Sequence, residues 1–287
     1  MMNYQCFNDE TPPNFLMAYR MAGEAIEQLG KSLPSGPENK APYFRWLVMR
    51  PQLLFAHLVF AYRNQVFAVY VNVVNDGIPS FSAAHKKRLI EASEEFSLVP
   101  CEIQVNVGKA GVNRLGVYGV ELKKVSGLIN VISRMPVLPA DLATDADVPM
   151  SQWERRAFAI NVMERDIREN NKFEICSACS VLGIDPQIWF KDDKGRPCWC
   201  IVRDWIGKND SDPKKNDFYH FIDSNKHLRP YDGYFAGVSI SSAEPVVYFP
   251  DGTIVPLSKR FSAECPLYRG HNMYVNSVGL ERIYVAD

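Results

Sequence analysis

Apolar residues in the first half of the chain follow a helical spacing first and strand-like spacings afterwards. Residues 15–29 are rich in helix formers and end at a glycine, which predicts a helix. Residues 53–62 and 66–74 are β-rich apolar runs on either side of a short polar turn, which predicts a buried hairpin. His57 falls inside the first of these runs and is interpreted as a hydrogen-bonded core histidine. Further elements are predicted as a helix over residues 82–96 and strands over residues 101–107 and 116–122.

The second half of the chain opens with a more specific helix signal. Ser151 stands three residues before Glu154, the spacing of a capping box in which two free backbone amides are satisfied reciprocally. Apolar residues then recur every three or four positions as far as Asn170, which predicts one amphipathic helix. Later elements are predicted as strands over residues 173–176, 187–190, 198–203 and 233–241, a helix over residues 214–228, and a hairpin around Pro250, Asp251 and Gly252.

These elements predict an α+β protein built from two modules. Residues 135–150 carry three prolines and three aspartates without a regular period, so we interpret them as a linker. The linker separates an N-terminal α+β module, residues 1–134, from a second module, residues 151–287. No internal repeat is evident in the sequence.

Composition and charge narrow the class of protein. Apolar residues make up 47% of the 287 residues and charged residues 23%, which is typical of a folded chain. The 33 acidic and 32 basic residues nearly balance, so a global attraction to nucleic acid or membrane is not supported, whereas a local basic face stays open. The N-terminus has no secretory signal pattern, and no apolar run reaches about 18 residues. We therefore expect a cytoplasmic protein without a membrane span.

Seven cysteines in a chain without an export signal favour reduced thiols. Four of them are paired along the sequence, Cys176 with Cys179 and Cys198 with Cys200, and this spacing raises the alternative of a shared zinc ion. Cys198 and Cys200 lie in an apolar run that is typical of a strand, however, and nothing around them resembles a second zinc knuckle. The simpler interpretation is that all four are free thiols that pack as small apolar groups.

The hairpin at residues 184–205, IDPQIWFKDDKGRPCWCIVRDW, belongs to a series of helix, three strands, helix and strand. Asp192 and Asp193 at its turn are interpreted as solvated turn residues. The order of elements over about residues 151–241 resembles the αβββαβ core of the PD-(D/E)XK nuclease-like superfamily, which implies a restriction-endonuclease-like mixed sheet. In active members of that superfamily an aspartate begins the second strand, an acidic-x-Lys triplet lies on the third, and the carboxylates hold Mg²⁺.

The residues at the matching positions lack that chemistry. Gln187 occupies the position of the aspartate, and residues 201–203, Ile-Val-Arg, occupy the triplet. An apolar residue, Ile201, thus occupies the position of the second acid, and the lysine is replaced by Arg203, which stays protonated. The resemblance therefore implies a scaffold that has lost its metal site. The same hairpin and residues 50–71, RPQLLFAHLVFAYRNQVFAVYV, also resemble uncharacterised bacterial proteins, which implies no activity.

We therefore predict a non-catalytic binding protein of bacterial or mobile-element type that needs no cofactor. Its second module is expected to bind a protein partner or nucleic acid, and no membrane. The residues predicted to contact this partner are Gln187, Arg203, Lys208, Lys214 and Lys215.

Two alternatives stay open. The first is a Mg²⁺-dependent nuclease whose acids have moved, with Asp185 and either Glu164 or Glu154 as metal ligands. Arg203 would then stabilise the negative charge that develops during phosphodiester attack. The second is an interaction module that holds zinc on the four paired cysteines.

Overall fold

The computed structural model describes residues 14–36, 42–48, 56–75, 78–106, 110–112, 118–120, 124–207 and 214–286. The chain divides into two units, Met1–Ala146 and Asp147–Asp287, and the division falls inside the segment interpreted as a linker. Each unit combines helices with a mixed sheet, which confirms the α+β class. No helix in the described ranges is both long and apolar enough to cross a membrane.

Residues 135–150 are more ordered than a linker would be. In the first unit, the amide nitrogen of Asn64 donates to Thr144 Oγ1 and to the carbonyl oxygen of Ala146, each at 2.8 Å. In the second unit, the backbone amide of Met150 donates to the carbonyl oxygen of Leu267 at 2.8 Å. The segment is therefore hydrogen-bonded to the first unit at Thr144 and Ala146 and to the second unit at Met150.

The first unit is a helix-covered mixed sheet. Its elements are α1 (Phe15–Ser32), β1 (Phe44–Val48), β2 (Leu58–Tyr62), β3 (Gln65–Asn75), β4 (Ile78–Pro79), α2 (Ala83–Glu95), β5 (Val99–Asn106), β6 (Ala110–Val112), β7 (Tyr118–Val120), β8 (Lys124–Asn130) and α3 (Pro139–Leu142). The main sheet has the order β1-β2-β3-β5-β8, with β4 beside β3. Strands β3 and β5 are parallel, and such a pair needs a crossover, which α2 supplies.

The sequence predicted α1, the β2–β3 hairpin, α2 and β5, and these four are confirmed. It missed β1 and β8. The apolar side of α1 packs on one face of the sheet through residues spaced three or four apart, as an amphipathic helix requires. The α1 side chains in this core are Phe15, Ala18, Ala22 and Ile26.

The second unit places a long helix and a set of short ones on a second mixed sheet. Its elements are α4 (Gln152–Glu169), β9 (Glu174–Ala178), β10 (Ile188–Lys191), β11 (Pro197–Ile206), α5 (Phe221–Ser224), β12 (Asp232–Ser242), β13 (Met273–Ser277) and β14 (Glu281–Tyr284). The sheet has the order β9-β10-β11-β12-β13, with β14 also paired to β12, and β11 and β12 are parallel. The capping box at the start of α4 is confirmed, since Glu154 N–H donates to Ser151 Oγ and Ser151 N–H to Glu154 Oε2.

The single helix predicted over residues 214–228 is wrong. The chain forms instead the one-turn helix α5 between two 3₁₀ turns, Lys215–Phe218 and Lys226–Leu228. Polar side chains of this stretch compete for the backbone hydrogen bonds that a continuous helix would need. Asn225 Nδ2 donates to the carbonyl oxygen of Phe221, for example, and Asp217 accepts from the amide of Lys214.

The two sheets repeat one connectivity. In each unit a long helix is followed by three antiparallel strands, a crossover, a fourth strand parallel to the third, and a fifth antiparallel to the fourth. The parallel neighbours are β3 with β5 in the first unit and β11 with β12 in the second. The structure therefore contains a repeat that the sequence does not reveal.

The repeat extends to a buried hydrogen bond at the start of the second strand. His57 precedes β2, and its backbone N–H donates to the carbonyl oxygen of Val69 at 2.9 Å. Its Nδ1 atom accepts the N–H of Val71 on β3, also at 2.9 Å. His57 is thus a hydrogen-bonded core histidine, as predicted. Burial, helped by the neighbouring His85, lowers the pKa of His57 to about 3.

Gln187 occupies the equivalent position in the second unit. It precedes β10, and its backbone N–H donates to the carbonyl oxygen of Cys200 at 3.0 Å. Its Oε1 atom accepts the N–H of Val202 on β11 at 2.8 Å. In both units, therefore, the residue before the second strand makes two hydrogen bonds to the third strand. Its backbone N–H donates to one residue, and its side chain accepts the N–H of the residue two positions further along.

This equivalence predicts the effect of His57→Gln. Glutamine offers the same kind of acceptor to Val71, so we expect the unfolding free energy at about pH 8 to change by less than about 1 kcal/mol. The folded-state pKa of His57 lies below the unfolded value of about 6.5, so wild-type stability falls as pH drops below that value, by about 1.4 kcal/mol per pH unit. At about pH 4.5 the variant should therefore have lost about 2 to 3 kcal/mol less than wild type.

Urea unfolding of the full chain at both pH values measures this difference. His227→Gln removes an exposed histidine and serves as the matched control. If the unfolding free energy of wild type and of His57→Gln depended equally on pH, His57 would not have the lowered pKa of a buried, neutral histidine.

Candidate functional site

Polar side chains of the second unit gather where β11 extends past its neighbour. Strand β11 has 10 residues and β10 only 4, so the end of β11 projects beyond the hairpin. Side chains along β11 alternate between two faces, as in any strand. Cys200 and Val202 lie in the core under α4, whereas Trp199 and Ile201 pack with the short helices of residues 215–228. Arg203 and Asp204 continue this alternation at the projecting end.

Asp185 and Arg203 form the centre of this site. The guanidinium of Arg203 donates from Nη1 to Asp185 Oδ1 at 2.8 Å and from Nη2 to Asp185 Oδ2 at 2.6 Å. Its carbon lies 4.8 Å from the centre of the Phe218 ring, a cation–π contact on the other side. Two parallel charge-assisted bonds make this the strong, planar form of an arginine–carboxylate pair.

The charge of Asp185 is held in place by these neighbours. Burial acts to raise the pKa of Asp185, but hydrogen bonds from Arg203 and Gln187 and the charges of Arg203 and Arg156 outweigh it. The pKa of Asp185 therefore lies below its ordinary value, and the carboxylate is ionised at neutral pH.

Gln187 is a structural residue and not a contact for a partner. The side chain is 1% exposed, and both ends of its amide are used within the unit. Oε1 accepts the N–H of Val202, and Nε2 donates to Asp185 Oδ1 and to the carbonyl oxygen of Ile184. The prediction that Gln187 faces a partner is therefore wrong, because the amide fills a buried hydrogen-bonding need of the sheet.

A second charged pair lies on the α4 side of the same strand end, and the sequence did not point to it. Arg156 Nε donates to Asp204 Oδ1 at 2.7 Å, and Arg155 Nε lies 3.5 Å from Asp204 Oδ2. The Asp204 side chain is 4% exposed, so this carboxylate is almost wholly buried beside the two arginines. The signal in the sequence is faint: two adjacent arginines early in a helix and an aspartate after Arg203.

The acids proposed as metal ligands are each paired with a different arginine, and Asp185 is paired with Arg203. Glu164 is paired with Arg168 one turn along α4, at 3.9 Å. Glu154 is buried and forms two 2.8 Å bonds with Arg269, besides its role in the cap of α4. In the described part of the chain, no group of three or more histidine, cysteine, aspartate or glutamate side chains could hold a metal ion.

The four paired cysteines are separated by a strand. Cys198 and Cys200 lie on β11, whereas Cys176 lies on β9 and Cys179 follows it, and β10 runs between the two strands. Burial raises the pKa of Cys198 to about 11 and also raises that of Cys200. Zinc binding requires thiolates, so these two side chains are better suited to packing in the core.

The lysines predicted at the binding face differ in their surroundings. Lys215 Nζ forms a 3.0 Å ion pair with Glu281 on β14, and that hydrogen bond raises the pKa of Lys215. Lys214 is exposed. Lys208 lies outside the described residues.

The hairpin turn between β10 and β11 is also more structured than predicted. Asp192 is buried, and its carboxylate accepts hydrogen bonds from the backbone amides of Lys194 and Arg196 and from Arg196 Nε. The interpretation of Asp192 as a solvated residue is therefore wrong, because the carboxylate organises the turn from inside. Asp193 is exposed, as expected.

Comparison with known proteins bears on the second unit alone. A family model described as a domain of unknown function (DUF8840) matches residues 153–283, which run from α4 to β14. Searches of curated proteins and of solved structures return no match.

The geometry of the central pair predicts the effect of Asp185→Asn. The variant keeps the shape of the side chain but removes the charge from the fork, so we expect the unfolding free energy at pH 7 to fall by about 2 kcal/mol. Because the folded-state pKa of Asp185 is depressed, its contribution is present above the unfolded value of about 3.9 and is lost as pH falls through the folded value. The difference between variant and wild type should therefore shrink in acid.

Urea unfolding of the full chain at about pH 7 and about pH 3 tests this. Asp193→Asn, at the exposed turn position, is the control and should cost less than about 0.5 kcal/mol. Equal losses in the two variants would contradict the role of the ion pair.

Proposed function

We propose that the second unit is a non-catalytic binding module on a degenerate nuclease-like scaffold, and that its partner is a protein. The observation that carries this proposal is the fork between Arg203 and Asp185. Asp185 is the acid closest to the metal-binding position of the resemblance, and its oxygens are engaged by a cation of the same unit. A metal ion would have to displace that arginine, which cannot give up its charge.

The arrangement of elements in the second unit supports the scaffold part of the proposal. Helix α4, the β9–β10–β11 meander, the short helices and β12 follow the order of an αβββαβ core. The parallel pairing of β11 with β12 is consistent with a mixed sheet of that type.

Charge pairing favours a protein partner over nucleic acid. Affinity for a phosphate backbone comes from cations that are free to replace counterions. Here two of the three arginines at the projecting end of β11 are closely paired with carboxylates of the same unit, and acids outnumber bases over residues 147–287. These two are Arg203 with Asp185 and Arg156 with Asp204, and elsewhere in the unit Lys215 is paired with Glu281 and Arg282 with Asp232.

Exposed apolar side chains also favour a protein partner. Between β12 and β13 the chain makes a tight turn, in which Phe249 N–H donates to Thr253 O at 2.7 Å, and this confirms the Asp-Gly turn signal. Around that turn Ile254 is 64% exposed and Leu257 85% exposed. Where such side chains form a contiguous patch, they are typical of surfaces that contact other proteins.

A plasmid-cleavage assay with the full chain in Mg²⁺ and in Mn²⁺ tests the loss of catalysis. We expect no cleavage in either metal. Cleavage that disappears in Asp185→Ala would overturn the proposal in favour of a nuclease with displaced acids.

The choice of partner class is tested by fluorescence anisotropy of labelled duplex and single-stranded DNA across a salt series. We expect no binding at physiological salt. Binding whose logarithm falls linearly with the logarithm of salt concentration would instead establish a phosphate-backbone contact and overturn the protein assignment.

A further inference from the structure

Five charged side chains alternate in sign around the projecting end of β11. Arg203 is paired with Asp185, Asp185 lies within the field of Arg156, and Asp204 is held by Arg156 and Arg155. Three arginines thus surround two carboxylates. Arginine stays protonated at any pH that a protein tolerates, so this cluster, which we name the arginine cluster, carries a net positive charge.

Arg155 is the member with donor capacity to spare. Its two described contacts are both long, 3.5 Å from Nε to Asp204 Oδ2 and 3.5 Å from Nη1 to the carbonyl oxygen of Met150. Arg156, in contrast, binds the same carboxylate at 2.7 Å. A guanidinium has five N–H donors in a planar fork that matches the oxygens of a carboxylate. The Arg155 side chain is 24% exposed, so an external carboxylate can reach it.

The first unit shows that the fold does not require these charges. Val69 accepts the backbone N–H of His57, and Cys200 accepts that of Gln187, so Val69 and Cys200 are equivalent positions. Four residues further along each strand, Val73 of β3 therefore corresponds to Asp204 of β11. Val73 is fully buried in the apolar core of the first unit.

The helices give the same comparison. The buried residues Ala18, Ala22 and Ile26 of α1 and Ala159, Met163 and Ile167 of α4 have the same spacing. Three residues before each set stand Phe15 and Arg156. Phe15 packs on His57, with ring centres 4.8 Å apart, whereas Arg156 binds Asp204.

The second unit therefore carries ion pairs where an otherwise equivalent sheet has apolar contacts. Desolvating charged groups is costly, and buried ion pairs are often no more stabilising than apolar residues of similar size. The stability of the sheet therefore does not explain why the second unit has ion pairs where the first has apolar contacts. A net positive cluster that includes a loosely held, partly exposed arginine does account for these ion pairs if the cluster receives an anion.

We propose that the arginine cluster binds carboxylate side chains of an acidic segment in the protein partner, with Arg155 as the first contact. This inference rests on the proposed function and names the chemistry of the partner. The incoming carboxylate takes the free donors of Arg155 while Asp204 stays held by Arg156. The binding is an ion-pair interaction and is expected to weaken as ionic strength rises.

Fluorescence anisotropy of a fluorescein-labelled hexaglutamate peptide, titrated with the full chain at low and physiological salt, tests the proposal. We expect salt-sensitive binding that weakens at least about tenfold in Arg155→Gln, because a charge-assisted bond is lost. Arg165→Gln is the matched control. It makes the same charge change at an exposed position of α4 and should alter the affinity by less than a factor of about 2. Arg155→Lys keeps the charge without the fork and should recover affinity only in part.

The outcomes separate this inference from the proposed function. Absent binding of the peptide to wild type, or equal weakening in Arg155→Gln and Arg165→Gln, overturns the arginine cluster as a carboxylate site. Neither result affects the cleavage and DNA-binding tests of the proposed function. A single-stranded DNA of equal charge is the parallel probe. If it binds more tightly than the peptide and depends on Arg155, the cluster is a phosphate site, and both proposals fail together. Circular dichroism of each variant establishes that it is folded.

Discussion

Both sheets depend on an amide that the backbone of the neighbouring strand does not satisfy. The third strand of each unit outruns the second, since β3 has 11 residues against 5 in β2, and β11 has 10 against 4 in β10. The N–H groups of Val71 and Val202 therefore lie buried beyond the hairpin. An unsatisfied buried amide costs about 1 to 3 kcal/mol. His57 and Gln187 remove that cost with a side-chain acceptor, and their backbone bonds set where β2 and β10 begin.

Beyond that shared bond, the two units cover the projecting strand differently. In the first unit the chain returns along β3 as β4, and Ser80 Oγ accepts the N–H of Val73 at 2.9 Å. Apolar side chains then complete the core. In the second unit, charged side chains close the same end, with Asp185 on Arg203 and Asp204 on Arg156. The same backbone arrangement therefore supports an apolar strand end in the first unit and a charged strand end in the second. Of these two strand ends, the charged one offers groups that could recognise an anion.

The parts of the fold that could be predicted from the sequence are those set by local spacing. Helix α4 was predicted because its cap and its apolar stripe lie within 18 consecutive residues, and the β2–β3 hairpin because its turn joins two apolar runs. The helix predicted over residues 214–228 failed because local polar bonds, such as that of Asn225 to Phe221, override apolar spacing. The charged pair of Asp204 and Arg156 joins residues 48 positions apart, so no local pattern could indicate it.

The repeat stayed hidden for a related physical reason. Positions equivalent in the two units share burial and hydrogen bonding but not residue type, as His57 and Gln187 illustrate. The resemblance singled out the position of Gln187, yet the predicted role in partner contact was wrong, because a motif gives the position of a residue and not the hydrogen bond that it makes.

Connectivity by itself carries no chemistry in this chain. The first unit has the same strand order as the second and places His57 and Val73 where the second has Gln187 and Asp204. A resemblance of connectivity to nucleases would therefore apply to both units, and function has to be argued from side chains alone. The side chains at the end of β11 put a permanent cation against each of the two nearby acids. Such an arrangement opposes the entry of a second cation such as Mg²⁺, whereas the long contacts of Arg155 leave its donors available to an anion. The tight ion pairs therefore support the proposed loss of metal-dependent cleavage, and the loosely held Arg155 supports the proposed recognition of an acidic partner.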